Sequence, residues 1–383
     1  ALAVAVGIAV LLPDRRNAPR WRAVDAFALL YVVLTATLGF VGSQRYGIEL
    51  DSTAVGTLLG PVHFFLLYRA AVVGLSSETA RVWALRLTLL PALPIALLAV
   101  AQRFPGAVQD VLARLTASDM YAENLLYFAP RVTGPFPHWH VLGGYLMVVA
   151  LLALALLTAP RQRVAPEALL LAGLAVVLPA LLLTLTAAIV LGFGVGAVLV
   201  VLTGHRPGRS LLAMGGAGTV GLVAGWPLIA ARVADQSAGS GGGGSLVPET
   251  LSTRMVIWSD QYFPVLQGRL LLGYGPTLPP EVVWVWTESL YISLLLRGGV
   301  PLVLAHSALF VAAYLACRQV MRDTDESGTR AIAARTVAAT TVVLVPMHAI
   351  FPYFVTTGLP HLWWGLLGLA LSQDPRVRST LRA

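Results

Sequence analysis

The sequence predicts an all-α, polytopic membrane protein, and two observations carry this prediction. Of the 383 residues, 57% are hydrophobic and only 11% are charged, whereas soluble domains carry about 25% charged residues. Apolar runs of about 20 residues recur along the chain, and each is long enough to cross a bilayer as a helix. We therefore expect a single helical membrane domain over residues 1–383, with additional segments outside the membrane.

The apolar runs predict about eleven transmembrane spans. Residues 166–203 form an apolar run too long for one helix, so two spans meeting near Thr184–Ala188 are expected. Residues 1–12 stop at Pro13 and are interpreted as a short or truncated first span rather than a signal peptide. The spans are expected at about 1–12, 24–42, 54–75, 82–101, 138–158, 166–203 (two), 210–231, 288–317, 331–349 and 353–372.

The charges set the expected orientation. The net charge is +8, and all 26 basic residues are arginine. In a soluble protein this would suggest nucleic acid, but here the positive-inside rule and anionic membrane lipids account for it, and no nucleic acid partner is expected. With the Arg-rich loops in the cytoplasm, the segments 43–53, 102–135 and 232–287 lie outside. The last of these segments includes a Gly/Ser stretch, residues 236–245, which is either a natural flexible part of the loop or an engineered junction.

The stretch from Arg254 to Gly299 is the least membrane-like long stretch and holds most candidate site residues. Arg254 offers a planar, charged fork suited to phosphate oxygens, although pairing with Asp260 or lipid is the alternative. Arg269 is a secondary phosphate candidate. Gly273 and Gly275 would let the backbone approach a ligand closely, unless they form a plain turn.

Glu288 stands at the start of an apolar helix, with Tyr291 three residues on and expected on the same face. A partly desolvated glutamate there would serve as general base for a sugar hydroxyl. The alternative is an ordinary helix-capping carboxylate that interacts with the helix dipole. Arg297 lies deeper in the same run, where an arginine needs a partner.

A second polar corner, RVTGPFPHWH, precedes the span at 138–158 and contains Arg131, His138 and His140. It is either an anion-binding corner of an active site or an interfacial belt with Arg131 on lipid phosphate. Cys317 is the single cysteine, which excludes an intrachain disulfide. The chain has no His-Glu-x-x-His, P-loop, nucleophile-elbow or paired-Asp motif, so neither a metal nor a cofactor is expected.

Taken together, these elements form a recognisable pattern: RVTGPF, an apolar double span, Arg-x-x-x-Trp at 254–258, GYGP at 273–276, and a span ending in LLRGGVP. Over roughly residues 125–320, the chain resembles the O-antigen ligase and O-antigen polymerase superfamily of bacterial envelope glycan proteins. That superfamily has about twelve spans and a cytoplasmic N-terminus, so the resemblance implies a further helix before Ala1.

The resemblance implies a metal-independent, inverting glycosyltransferase in the bacterial cytoplasmic membrane, with its active site facing outside. The donor would be an oligosaccharide on undecaprenyl pyrophosphate, and the acceptor a hydroxyl of a glycan or lipid. Arg254 would hold the pyrophosphate, helped by Arg131 or Arg269, and Glu288 would be the base. Ligases typically have His where Glu288 stands and Arg where Ala187 stands, and Glu-x-x-Tyr is closer to the polymerase branch.

Two rival interpretations come from other functional classes. A flippase or transporter of lipid-linked glycans would place charges near the membrane midplane, on broken helices or internal repeats. A non-catalytic envelope membrane protein would not need the Arg, Glu and Gly constellation. Convergence of Arg131, Arg254 and Glu288 around one site would favour the transferase.

Overall fold

The computed structural model describes residues 21–47, 49–103, 131–204, 249–277, 287–325, 328–356 and 358–372, with isolated positions at 111, 208, 215–216, 226 and 230. All regular structure in these residues is helical. The α-helices are α1 Ala23–Tyr46, α2 Ser52–Gly74, α3 Glu78–Leu89, α4 Ala92–Ala101, α5 Trp139–Thr158, α6 Glu167–Leu183, α7 Ala187–Leu202, α8 Glu249–Ile257, α9 Phe263–Leu266, α10 Leu290–Asp323, α11 Thr329–Met347 and α12 Leu359–Leu371. A π-helical turn, Trp258–Tyr262, joins α8 to α9, and a 3₁₀ turn, Tyr353–Val355, precedes α12.

Among the described residues, six helical stretches are long and apolar enough to cross a membrane: α1, α2, α3 together with α4, α5, α10 and α11. The prediction of a helical membrane protein is confirmed at this level. The count differs from the eleven predicted spans. The apolar helices α6, α7 and α12 have only 10–17 residues. Two further predicted spans, 1–12 and most of 210–231, lie outside the described residues.

The predicted break in the apolar run 166–203 is confirmed. Helix α6 ends at Leu183 and α7 begins at Ala187. Between them, Leu185 adopts a left-handed backbone conformation with φ of 50°. An L-residue cannot continue a right-handed helix through that conformation, so the helix is interrupted there.

The core of the described structure is α5, which is buried along nearly its whole length. Helices α6, α7 and α11 pack against α5, and α11 in turn contacts α10 and α12. Helices α1 and α2 complete this side by packing on α10 and α12 respectively. Helix α5 is apolar on all sides, and the other helices enclose it almost completely.

Helix α10 is broken at Gly298 and Gly299, where Gly299 has φ of 68°. Pro301 follows and cannot donate a helical hydrogen bond. The backbone groups that lose their helical partners at the break pair with residues that precede α10. The Tyr274 and Gly275 amides donate to the Leu296 carbonyl at 2.5 and 3.1 Å, and Val300 N donates to the Leu270 carbonyl at 2.7 Å. Irregular backbone within a span is tolerated where protein groups satisfy it in this way.

The region predicted as a large external loop, 232–287, is helical over Glu249–Leu266 and irregular over residues 267–277. Helices α8 and α9 and the π-helical turn occupy Glu249–Leu266. Their apolar side chains Ile257, Tyr262 and Leu266 pack against Ile292 and Leu296 of α10. These three buried side chains dock the stretch on α10. Residues 231–248 and 278–286, including the Gly/Ser stretch, lie outside the described residues.

The other predicted external segment, 102–135, is described only at its two ends and at position 111. Those ends meet at Gln102, whose side-chain oxygen accepts hydrogen bonds from the Thr133 and Gly134 amides, both at 2.9 Å. This clamp fixes the chain that leads into α5 and brings Arg131 and the two histidines to the start of that helix.

Candidate functional site

Arg254 and Glu288, the two predicted catalytic residues, form an ion pair across 34 positions of sequence. Arg254, in the last turn of α8, donates from Nε and Nη2 to the same carboxylate oxygen of Glu288, at 3.1 and 2.8 Å. The two side chains are 19% and 22% exposed. The pair is therefore partly desolvated, which makes the interaction stronger than at an open surface, yet it is still reachable by a ligand.

Glu288 has a left-handed backbone conformation, with φ of 52°. Such a conformation in a residue other than glycine costs about 1–3 kcal/mol and persists only where surrounding contacts impose it. Those contacts are visible: Trp258 Nε1 donates to the Thr287 carbonyl at 3.0 Å, and Thr287 Oγ1 donates to the Ser289 carbonyl at 3.1 Å. Strained residues of this kind cluster at functional sites.

The start of α10 differs from the prediction. Ser289 caps the helix, its hydroxyl accepting from Ile292 N, so the helix begins at Leu290 and Glu288 stands before it. The spacing of three residues therefore does not place Tyr291 beside Glu288. Instead the Tyr291 hydroxyl donates to the Val345 carbonyl of α11 at 2.7 Å. Tyr291 ties α10 to α11, and its assignment as a neighbour of Glu288 on a helix face was wrong.

The segment that carries Glu288 is also anchored to the end of α11. Leu290 N donates to the His348 carbonyl at 2.8 Å, and the Ser289 hydroxyl donates to the same oxygen at 3.4 Å. The His348 ring lies in the core, where its Nδ1 is 3.4 Å from Nε2 of His306. Both rings are buried, so these histidines pack in the interior beside the site.

Arg131, His138 and His140 gather at the start of α5. The Arg131 guanidinium lies 4.7 Å from the centre of the Trp139 ring, and the His138 and His140 rings are stacked at 4.9 Å. Arg131 and Arg254 are both close enough to interact electrostatically with the buried imidazole of His140. The second polar corner therefore faces the same region as the Arg254–Glu288 pair.

Tyr353 connects the two halves of the site and was not predicted from the sequence. Its hydroxyl lies 3.2 Å from Nδ1 of His140. Burial raises the pKa of Tyr353 well above its ordinary value; the Arg254 charge opposes this shift and the Glu288 charge adds to it. A neutral phenol thus stands within electrostatic reach of the ion pair. The FPYF run at 351–354 gave no motif that would have identified it.

Tyr262 is a further neighbour that sequence reasoning missed. It is fully buried in the cluster that docks α8 and α9 on α10. Burial raises the pKa of Tyr262 to about 12, with the Glu288 charge adding to the shift. The Glu288 charge therefore acts on two tyrosines whose pKa is raised above the ordinary value.

The remaining predicted residues, Arg269, Gly273 and Gly275, lie elsewhere. The Arg269 guanidinium rests over the stacked rings of Tyr46 and Tyr274, 4.8 and 5.1 Å from their centres. A Cβ added to Gly273 would lie 2.6 Å from Gly298 N. Gly273 thus permits a close approach to the break in α10, whereas Gly275 lies against Gly42 of α1.

Within the described residues, His, Cys, Asp and Glu side chains do not gather in groups of three or more that could hold a metal ion. The metal independence of the chemistry stays a prediction. The site offers the paired guanidinium of Arg254 and carboxylate of Glu288, and the second guanidinium of Arg131. The Tyr353 phenol and the His140 imidazole join these two parts.

No family model and no curated protein matches this chain. The resemblance to the O-antigen ligase and polymerase superfamily therefore stays a prediction.

His138 supplies a test of how tightly this corner is packed. It caps α5, its Nδ1 accepting from His140 N at 3.1 Å. Burial, with a smaller contribution from the Arg131 charge, lowers the pKa of His138 to about 3. Between about pH 6.5 and 3 the unfolded chain therefore binds a proton here that the folded chain does not, so stability falls as the pH is lowered through this window.

We expect His138→Asn to reduce this loss, because asparagine keeps the cap but does not titrate. The difference is at most about 1 kcal/mol per pH unit, since the side chain is partly exposed. Thermal unfolding in detergent at pH 8 and pH 5 measures it. The two proteins should match in pH dependence above pH 7 and diverge at pH 5. Equal losses at pH 5 would mean that His138 is freely protonated in the folded chain.

Proposed function

We propose that this protein is an inverting, metal-independent glycosyltransferase that takes a glycan from an undecaprenyl-pyrophosphate-linked donor. The acceptor is a hydroxyl of a glycan or lipid on the outer side of the bacterial cytoplasmic membrane. The observation that carries the proposal is the pairing of Arg254 with a strained Glu288. A phosphate-binding group and a proton acceptor are thereby within one ligand's length of each other.

The ion pair suggests how the two residues divide the work. A donor pyrophosphate is an alternative, bidentate partner for the Arg254 guanidinium. When Arg254 moves its hydrogen bonds from Glu288 to the phosphate, the carboxylate loses its partner and becomes available as a base. Binding of the donor would thus prepare Glu288 for the acceptor hydroxyl, and the resting protein would hold the carboxylate occupied.

The reaction is then a direct displacement. Glu288 takes the proton of the acceptor hydroxyl while that oxygen forms a bond to the anomeric carbon. The bond from this carbon to the pyrophosphate oxygen breaks, and the electron pair leaves with the lipid pyrophosphate. Arg254, with Arg131 nearby, stabilises the charge that develops on the leaving group. The anomeric configuration inverts, and the donor bond supplies the driving force.

Replacing Arg254 with alanine tests the phosphate role. Loss of one donor to a developing oxyanion costs about 10²–10³-fold in rate, so glycan transfer by Arg254→Ala should fall by that factor. The assay incubates purified protein with a lipid-linked oligosaccharide and sizes the products. A ladder of products identifies a polymerase, and a single shift onto a second lipid or glycan identifies a ligase.

Arg318→Ala is the matched control, because Arg318 is an exposed arginine towards the far end of α10. It should transfer at the wild-type rate. A wild-type rate for Arg254→Ala, with the control unchanged, would remove Arg254 from the mechanism. Absence of any product from the wild-type protein across lipid-linked donors would remove the glycosyltransferase itself.

One observation favours the second candidate, a transporter or flippase of lipid-linked glycans. Arg297 immediately precedes the break in α10, and a charge on a broken helix is the arrangement expected of transporters. Reconstitution in vesicles with a fluorescent lipid-linked oligosaccharide separates the two candidates. Movement of the labelled lipid between leaflets, with no change in the size of its oligosaccharide, would support the transporter and exclude the transferase.

A further inference from the structure

A cleft of about 360 Å³ lies between α1, α2, α10 and the chain from Phe354 to His361. This volume is within the range of about 300–1,000 Å³ found for ligand pockets. It opens at the surface beside His63 and His361, which are both exposed. Its polar lining consists mainly of Tyr31, Thr35, Thr57, His63, Arg297 and His361.

Arg297 is the charged group of this cleft. Within the described part of the chain its guanidinium makes no hydrogen bond or ion pair, and its one electrostatic neighbour is the Tyr31 phenol. None of the described residues that line the cleft is Asp or Glu. An arginine at membrane depth is costly unless it is paired. The cleft therefore presents a cation whose counter-charge the described protein does not supply.

The cleft is separate from the Arg254–Glu288 pair, and the segment Tyr353–Thr356 runs between them. The Tyr353 hydroxyl faces His140, whereas the next three residues line the cleft. No lining residue belongs to the ion pair. A ligand in the cleft would therefore contact Arg297 and the hydroxyl groups of the lining, and not the Arg254–Glu288 pair.

The wall formed by α2 is open. Gly56 and Gly60 both line the cleft, and they lie one helical turn apart. A Cβ added to either would meet nothing within 4 Å. A ligand can therefore approach the α2 backbone here and reach the Thr57 hydroxyl between the two glycines.

We propose that this cleft is a second anion site that binds a phosphate group, with Arg297 as its charged ligand and the threonine, tyrosine and histidine side chains as hydrogen-bonding partners. A guanidinium matches phosphate oxygens in charge and in the geometry of its donors. Hydroxyl groups supply further donors, and the exposed imidazoles stand where the phosphate would enter. A lipid phosphate and a free phosphate share this chemistry.

Native mass spectrometry of the full chain in detergent tests the proposal with three probes: dioctanoyl phosphatidic acid, dioctanoylglycerol and inorganic pyrophosphate. Phosphatidic acid and dioctanoylglycerol carry the same acyl chains, so their difference isolates the phosphate. We expect phosphatidic acid to bind at least ten-fold more tightly than dioctanoylglycerol. Arg254→Ala removes the phosphate ligand proposed for the catalytic pair, and in that background Arg297→Gln, which removes the charge of the cleft, should abolish the preference.

Gly60→Leu is the second variant, since it fills the cleft from a position with free space and leaves Arg297 in place. Gly194→Leu is its matched control: Gly194 also lies inside a helix with nothing within 4 Å of an added Cβ, but it does not line the cleft. Gly60→Leu should lose phosphatidic acid binding, and Gly194→Leu and Arg254→Ala should keep it. Retained binding in Arg254→Ala separates this site from the proposed catalytic pair.

Pyrophosphate binding as tight as that of phosphatidic acid would identify a free phosphate group as the ligand; binding of phosphatidic acid alone would identify a lipid. Equal binding of phosphatidic acid and dioctanoylglycerol by the wild-type protein would overturn the proposal. So would full phosphate-dependent binding in both Arg297→Gln and Gly60→Leu. These results are independent of glycan transfer, which is scored on the Arg254 and Glu288 variants.

Discussion

Glu288→Gln is expected to lower glycan transfer by about 10²–10⁴-fold, the usual contribution of a general base. Glutamine is nearly isosteric with glutamate, and its side-chain oxygen can still accept hydrogen bonds from Arg254. It cannot take a proton from the acceptor hydroxyl. The change therefore removes the proposed proton transfer while keeping the contact that positions Arg254.

The measurement is the initial rate of product formation from a saturating lipid-linked donor, together with donor binding at equilibrium. Binding should stay within about three-fold of wild type, since phosphate recognition is assigned to Arg254. Asp260→Asn is the matched control, because Asp260 is an exposed carboxylate in the adjacent π-helical turn. It should transfer normally. A Glu288→Gln protein with the wild-type rate would show that Glu288 only positions Arg254.

The helical scaffold follows from the sequence because its signals are local. Apolar runs bounded by proline, glycine and arginine determine where spans can begin and end. The break between α6 and α7 is an example, since an apolar run of that length cannot form one span. The mutual approach of Arg254 and Glu288 was also anticipated, as both were assigned to one site on residue chemistry and resemblance.

The details that fix the site are not local, and the sequence could not predict them. The left-handed conformation of Glu288 depends on Trp258, 30 positions before it, and on the His348 carbonyl after it. The periodicity that suggested Tyr291 as a neighbour assumed a helix already formed at Glu288. Tyr353 entered the site only through the packing of the chain after α11 against α5.

Glycine shows the same limit. A Gly-Tyr-Gly-Pro turn is compatible with close approach of a ligand or of the protein's own backbone. The choice depended on Gly298 and Gly299, which are adjacent to Gly273 in space and distant in sequence. The sequence alone shows only that a close approach of backbone is permitted at this turn, and a plain turn is equally compatible with it.

Arg69→Met is expected to destabilise the protein by about 3–5 kcal/mol, the cost of leaving one member of a buried ion pair without its partner. Arg69 Nη1 lies 2.5 Å from Oδ1 of Asp25, and the two side chains are only 4% and 1% exposed. The same carboxylate accepts from the Tyr68 hydroxyl at 3.0 Å. Removing Arg69 therefore leaves a buried carboxylate between α1 and α2 with neutral donors only, the Tyr68 hydroxyl and the Arg22 amide, which lies 2.6 Å from Oδ2.

The free energy of unfolding is measured by denaturant titration in mixed micelles. Glu78→Gln is the control: in the Arg81–Glu78 pair the Glu78 side chain is 49% exposed and the Arg81 side chain 4%. Arg81 keeps its hydrogen bonds to the Leu75 and Ser76 carbonyls, so the loss should stay near or below about 1 kcal/mol. Glycan transfer plays no part in this comparison, so its result is independent of the proposed function. A loss as small as that of the control would mean that water reaches Asp25.

The triple variant Asp25→Leu, Tyr68→Phe, Arg69→Met should recover most of the stability lost in Arg69→Met. Apolar replacement of a buried pair is often neutral or stabilising, because the desolvation of both charges is removed together with their attraction. Recovery would show that the buried ion pair adds little net stability. It would also show that Arg69→Met destabilises the protein because it leaves the Asp25 carboxylate buried without its partner. If the triple variant stays as unstable as Arg69→Met, the cluster contributes packing that apolar side chains cannot replace, and the destabilisation would have to be assigned to shape rather than charge.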